Sequence, residues 1–175
     1  MNPVSLLIQE HNLIKEAIEI AKNCRNILNN ISQYENAVRQ LINFFRNYAD
    51  NYHHQKEEQI LFPEMVKANE MLEQGIVFEM FENHSDFRQM IASIEKFLEK
   101  KEFDKTQNML EQYCEALLDH IAVEDDEVFE IAKSLFDNNE LEKIYFRFVD
   151  IDSEIGNQNK DELKQKLEEL KKSIE

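Results

Sequence analysis

Two stretches of this 175-residue chain place a histidine four residues ahead of a glutamate, His53-x-x-x-Glu57 and His120-x-x-x-Glu124. Four residues advance about 400° around an α-helix, so each imidazole and its carboxylate lie on one face, one turn apart. Such a pair can reach one metal-sized point from one wall of a helical bundle. Singly, it is usually an exposed pairing or a satisfied core histidine. Two of them form a different pattern when His11 and His84 each stand within a further long helical stretch. The flanks are apolar: Leu13 and Ile14 follow His11, Ile60-Leu61-Phe62 follows His53, Phe81 and Phe87 bracket His84, and Leu117, Leu118 and Ile121 surround His120. Burying imidazoles and carboxylates on such stripes costs stability unless something satisfies them. A pair of divalent cations would do so.

The donor types narrow the metal. Imidazole with carboxylate suits iron, manganese or zinc, and the lack of nearby thiolates argues against a structural zinc or an iron–sulfur cluster. Cys24 and Cys114 stand apart, form no CxxC, and read as small buried hydrophobes. Four histidines and two glutamates exceed the needs of one tetrahedral ion. They match two metals, each holding two histidines and sharing two bridging carboxylates, with room left for an oxygen bridge and an exogenous ligand. A ferritin-like site would carry Glu-x-x-His, and no histidine here has a glutamate three residues before it.

The elements that must position these residues are helical. With 2 Gly and 2 Pro the chain has too little turn punctuation for a sandwich or a doubly wound sheet. Pro3 after Asn2 opens a first helix whose stripe runs from Leu6 to Leu28. Ser32-x-x-Glu35 reads as a capping box for a second, running through Val38, Leu41 and Phe45 to Leu61, where Pro63 is expected to kink or end it. A third starts near Gly75 and reaches Lys100-Lys101, and a fourth runs from about Asp104 to Leu135. Beyond Asn138-Asn139 comes an apolar stretch broken at Gly156-Asn157, then an amphipathic helix from Lys160 to Ile174 with Leu163, Leu167, Leu170 and Ile174 as its stripe. The expected architecture is an all-α, up-down four-helix bundle over residues 1–136. A short helical C-terminal extension over 137–175 packs on it.

Composition excludes several roles. Lys+Arg 20 against Asp+Glu 36 gives a formal net charge of −16, which repels a polyphosphate backbone, so nucleic acid is not an expected partner. A hydrophobic content of 42% supplies a core and argues against disorder. The N-terminus lacks the basic region of a signal peptide, and no apolar run reaches the ~18–20 residues of a membrane span. A cytoplasmic protein, monomer or homodimer, is the expectation.

Taken with their order, these motifs resemble the hemerythrin family, in particular its HHE cation-binding branch. The stretch from His53 to Pro63, His-His-Gln-Lys-Glu-Glu-Gln-Ile-Leu-Phe-Pro, is similar to that branch's signature. Glu10-His11, Glu82-Asn83-His84 and His120-Ile121-Ala122-Val123-Glu124-Asp125 resemble its motifs on the other three helices, and the likeness covers roughly residues 4–136. It implies a non-haem di-iron centre, two iron ions held by His11, His53, Glu57, His84, His120 and Glu124, with Glu57 and Glu124 bridging. The family spacing selects His53 over His54. In an α-helix the register of His54 with Glu58 is rotated about 100° away, so His54 is expected outside the ligand set.

Oxygen-carrying members have a fifth ligand histidine one turn from another on the third helix. Here Met80 and Arg88 occupy the positions one turn from His84. The departure tells against simple oxygen transport and resembles members linked to nitric oxide response, iron–sulfur repair and iron sensing. The expected function is binding or sensing of dioxygen or nitric oxide at an open iron position. The alternative is a di-iron redox enzyme acting in peroxide decomposition, ferroxidase chemistry, nitric oxide reduction or iron–sulfur repair. For it, Tyr48, Tyr52, Tyr113 or Glu58 would serve as proton donor. A bare helical interaction module would have no use for the His-x-x-x-Glu motif twice.

Overall fold

A computed structural model describes residues 2–174, which are helical almost throughout and contain no strand. Helix α1 spans Pro3–Asn23, with the Asn2 side chain accepting a hydrogen bond from the Val4 N–H at 2.9 Å and Pro3 in the first turn. A 3₁₀ turn, Cys24–Ile27, leads to α2, Ile31–Phe44. The cap of α2 is Asn30, whose side chain accepts from the Gln33 N–H, so the start lies two residues before the expected Ser32. The helical path then continues as π-helix over Phe45–His54 and Glu57–Leu61 and joins α3, Phe62–Ala68. Pro63 therefore does not end the run. It occupies the first turn after a π segment, where its missing N–H breaks no α-helical bond.

Helix α4, Ile76–Glu99, and α5, Phe103–Val123, pack against each other, and α5 passes through a π segment, Glu124–Val128, into α6, Phe129–Leu135. Helix α7, Asn138–Ile155, opens on a complete capping box between Asp137 and Glu140. Gly156 at φ 114°, a backbone state that strains any other residue, turns the chain into α8, Asn157–Ile174.

The core divides into two apolar clusters. One contains Ile14, Phe45, Tyr52, Phe87 and Leu117, the other Leu7, Ile60, Phe62, Met80 and Val128. Each buried side chain of this size contributes roughly 1.5–3 kcal/mol. The seam between the clusters crosses every histidine-bearing run at the same kind of place. It passes between Leu7 and Ile14 on α1, Tyr52 and Ile60 on the second run, Met80 and Phe87 on α4, and Ile121 and Val128 on the fourth. The chain beyond residue 136 divides the same way, with Ile144, Phe148 and Ile151 of α7 in one cluster and Leu163, Leu167 and Leu170 of α8 in the other.

Candidate metal centre

The seam is polar. His11, His53, His54, His84, His120, Glu57 and Glu124 are all buried in it. All six residues singled out by spacing converge there, and so does His54, which was expected to lie outside. They form two groups whose donor atoms lie within 4.8 Å of one another: His11, His53, Glu57 and Glu124 in one, and His54, His84 and His120 in the other.

The π segments explain His54. A π turn closes i→i+5 and holds more residues than an α turn, so adjacent side chains diverge by less than 100°. His53 and His54 end the first π segment and both point inward, His54 stacking on His84 with ring centroids 3.8 Å apart. Glu57 opens the second π segment and Glu124 the third, so the local backbone departs from α geometry at both carboxylates as well.

Within each group the imidazoles face each other through Nε2, at 2.9 Å for His11 and His53 and 3.1 Å for His84 and His120. Two nitrogens held at right angles about 2.1 Å from one divalent ion would stand about 3 Å apart. Both carboxylates span the groups. Glu124 places Oε2 3.1 Å from His11 Nε2 and Oε1 3.2 Å from His120 Nε2. Glu57 places Oε1 3.4 Å from His53 Nε2 and Oε2 3.7 Å from His84 Nε2. All four of these oxygens, and His54 Nε2, are buried without a hydrogen-bond partner among the described residues. Five orphaned polar atoms around two points form a donor set that fits cations and is costly without them.

Behind the donors, carboxylates receive the outer nitrogens. The Nδ1 of His11 meets Asp125 at 2.7 Å, that of His53 meets Glu10 at 3.0 Å, that of His84 meets Glu58 at 2.8 Å, and that of His54 meets Asp50 at 3.4 Å. His120 Nδ1 lies 3.4 Å from the Asn83 side-chain amide. A carboxylate on Nδ1 fixes the ring and leaves the Nε2 lone pair inward, as a metal ligand requires.

Electrostatics divides the rings. Burial, with the nearby His11 charge, pulls His53 down to about 4, and burial with His84 pulls His54 well below its ordinary value. Both are neutral and ready to donate. Burial also pulls on His11 and His84, but Asp125 and Glu124 hold the first above its ordinary value, and Glu124 and Glu58 the second. Burial and the Glu124 charge push Glu57 well up, while His120, His11 and His84 outweigh burial at Glu124 and keep it ionised.

A model of the hemerythrin HHE cation-binding domain matches residues 2–132. The chain belongs to the hemerythrin HHE family. No curated protein and no solved structure matches it. Within that family assignment the two His/Glu groups are the candidate cation sites, and no helix among the described residues is long and apolar enough to cross a membrane.

Four functional neighbours carried no recognisable sequence pattern: Lys56, Asp50, Asp152 and Lys160. Lys56 is fully buried, and Asp152 and Lys160 come from beyond the family match. Near His54 a cavity of about 150 Å³, lined by Phe45, Phe87, Ile91 and Tyr113 with Arg46, Asp50 and Arg88, lies beside the centre.

Proposed function

We propose that the four histidine-bearing helical runs form an up-down four-helix bundle around a non-haem di-iron centre, and that the protein binds or senses dioxygen or nitric oxide there. The observation that carries this reading is the pair of carboxylates, Glu57 and Glu124, each offering one unpartnered oxygen to either histidine group. The ligand set is His11, His53, Glu57, His84, His120 and Glu124, extended by His54. His54, His84 and His120 with the two carboxylates supply five donors to one ion, and His11 and His53 with the same carboxylates supply four to the other. The second ion keeps more open positions, while the cavity lies on the His54 side of the first.

When bound, the iron pair supplies the electrons and the coordination sites. The chain's own residues do the rest. Asp125, Glu10, Glu58 and Asp50 orient the imidazoles, Phe62, Phe87 and Phe129 keep water from the rings, and the cavity beside His54 is roomy enough for a diatomic molecule to approach. Nitrogen and carboxylate donors favour iron or manganese over a thiolate-preferring ion.

The enzyme reading needs a proton donor at the centre. Glu58 accepts from His84 and Arg88, whose charges outweigh burial and keep it ionised, and the Tyr52 hydroxyl donates to the Gly156 carbonyl at 2.6 Å. Tyr113 lines the cavity, and burial raises its hydroxyl well above its ordinary value. Two of the four candidates, Glu58 and Tyr52, are thus committed to other partners, which supports binding over turnover.

The test is an optical spectrum of iron-quantified protein, reduced without air, exposed to oxygen and then degassed, with a parallel nitric oxide arm. About two irons per chain and a charge-transfer band that reverses are expected. Fewer than two irons, or no spectral response to either gas, overturns the reading.

A further inference from the structure

Four opposite charges are sealed into the seam beside His53. Lys56 Nζ donates to Glu10 Oε1 at 2.5 Å and pairs with Asp152 Oδ1 at 2.7 Å. Lys160 Nζ donates to the same Glu10 oxygen at 2.6 Å and to Asp152 Oδ2 at 2.5 Å. The four groups close a ring of two cations and two anions. Among the described residues its hydrogen bond to the metal centre runs through the other Glu10 oxygen, Oε2, which receives His53 Nδ1.

A helix that merely docks does not need this. Residues 163, 167 and 170 of α8 meet the core as leucines, and position 160 lies one turn earlier on the same stripe. Replacing buried ion pairs by apolar side chains is commonly neutral or stabilising, so a lysine on that stripe calls for a reason other than packing. The surroundings of Lys160 are specific. Its ammonium sits 5.8 Å from the Tyr48 ring and 5.5 Å from the Tyr52 ring, on the run that carries His53, and Tyr52 anchors the Gly156 turn that starts α8. The carboxylates behind His11 and His84 are backed differently, by Lys15 and Arg88, which are 40% and 44% exposed. A charge acts more strongly where water is excluded.

We infer that the C-terminal helices, outside the family match, complete the surroundings of one metal position, with Lys160 and Asp152 as positioning residues that hold Glu10 against His53 and so strengthen metal binding at the His11–His53 group. The inference rests on the metal-centre reading above. The mechanism is geometric: the lysines occupy Oε1, leaving Oε2 as the oxygen free for the ring. Partners of this kind behind a ligating histidine are worth about 10–100-fold in metal affinity.

The experiment titrates the full chain with ferrous ion, without air and against a competing chelator, to obtain two dissociation constants. Wild type is compared with Lys160→Met, Glu10→Gln and Leu167→Ala, with helix content followed by circular dichroism. Lys160→Met and Glu10→Gln are expected to weaken the same one of the two constants by about ten-fold or more, while Leu167→Ala, which opens a small apolar gap on the same stripe two turns from Lys160 and keeps the four charges in place, leaves both. Lys160→Leu, which matches the leucines of the stripe and has no donor, gives the same reading should Lys160→Met not fold. Two unchanged constants in a folded Lys160 variant overturn the inference, as does an equal loss in Leu167→Ala. Wild type binding fewer than two ions overturns the metal-centre reading itself, and this inference with it.

Discussion

Around His53, the carboxylate that receives the ring is gripped by two buried lysines; around His84, the corresponding carboxylate, Glu58, is held by Arg88 at the protein surface. The first arrangement draws on α1, the second helical run, α7 and α8, and excludes water. The second uses only the second run and α4, and opens beside a cavity. The histidine count differs in the opposite sense, two on the sealed side and three on the open side. The difference teaches that donor number and donor backing trade against each other. The position with fewer imidazoles has buried support behind one of them, His53, and the position near the cavity has an extra ring.

The largest effect that would break this comparison is loss of the element both halves share. Glu124→Ala removes oxygens facing both groups and is expected to strip most metal from the protein, as is His120→Ala to a lesser degree. Elemental analysis retaining two metals per chain in Glu124→Ala would refute the bridging assignment. Next comes His54→Ala. Helical-wheel reasoning leaves this variant at wild-type metal content, whereas the inward, unpartnered Nε2 gives an expected loss of one metal of two, with the His11–His53 position still filled. Metal content unchanged in His54→Ala would return that residue to the periphery.

A smaller effect concerns pH. In the metal-free protein His11 and His84 lie above their ordinary 6.5, held there by Asp125, Glu124 and Glu58 against burial. A folded value above the unfolded one contributes stability that is complete below the unfolded value and is lost as pH rises through the folded one. Glu57, raised by burial and Glu124, acts in the same sense. Thermal melts of metal-free protein are therefore expected to fall as pH rises above the ordinary histidine value of 6.5, and those of the loaded protein to stay level, because cations replace those protons. Parallel curves for the two forms would contradict it. The smallest effect belongs to Arg88→Ala, which removes a half-exposed pairing with Asp50 and Glu58. It is expected to cost no more than about 1 kcal/mol in denaturant unfolding and to leave both metals bound. Loss of a metal there would show that the open side depends on its outer charges as much as the sealed one.

Much of this was readable from the chain before any coordinates. Helical spacing and scarce Gly and Pro gave the helices, and two His-x-x-x-Glu motifs with His11 and His84 gave six of the seven converging donors. The departures from expectation have two causes. Ser32 was assigned a cap that Asn30 provides, because several side chains near a helix start can fill that role and only the backbone turn selects one. Pro63, expected to kink or end the run, does not end it, because the π segment ahead of it removes the conflict with an α-helical bond. His54 was placed 100° off the ligand face for the same reason, an α period applied where the turn is wider.

What the sequence determined by itself is therefore the set of helices, the type of donor and the family, since those depend on local periodicity and on residue chemistry at short range. What only the tertiary structure decided is which polar residues share the seam. Lys56, Asp152 and Lys160 lie 46, 142 and 150 residues from Glu10. No local pattern links them. The chain brings them together because α7 and α8 cover the face of the second run that carries Tyr52 and Lys56. Once that face is closed to water, each buried charge must find an opposite one within hydrogen-bond reach.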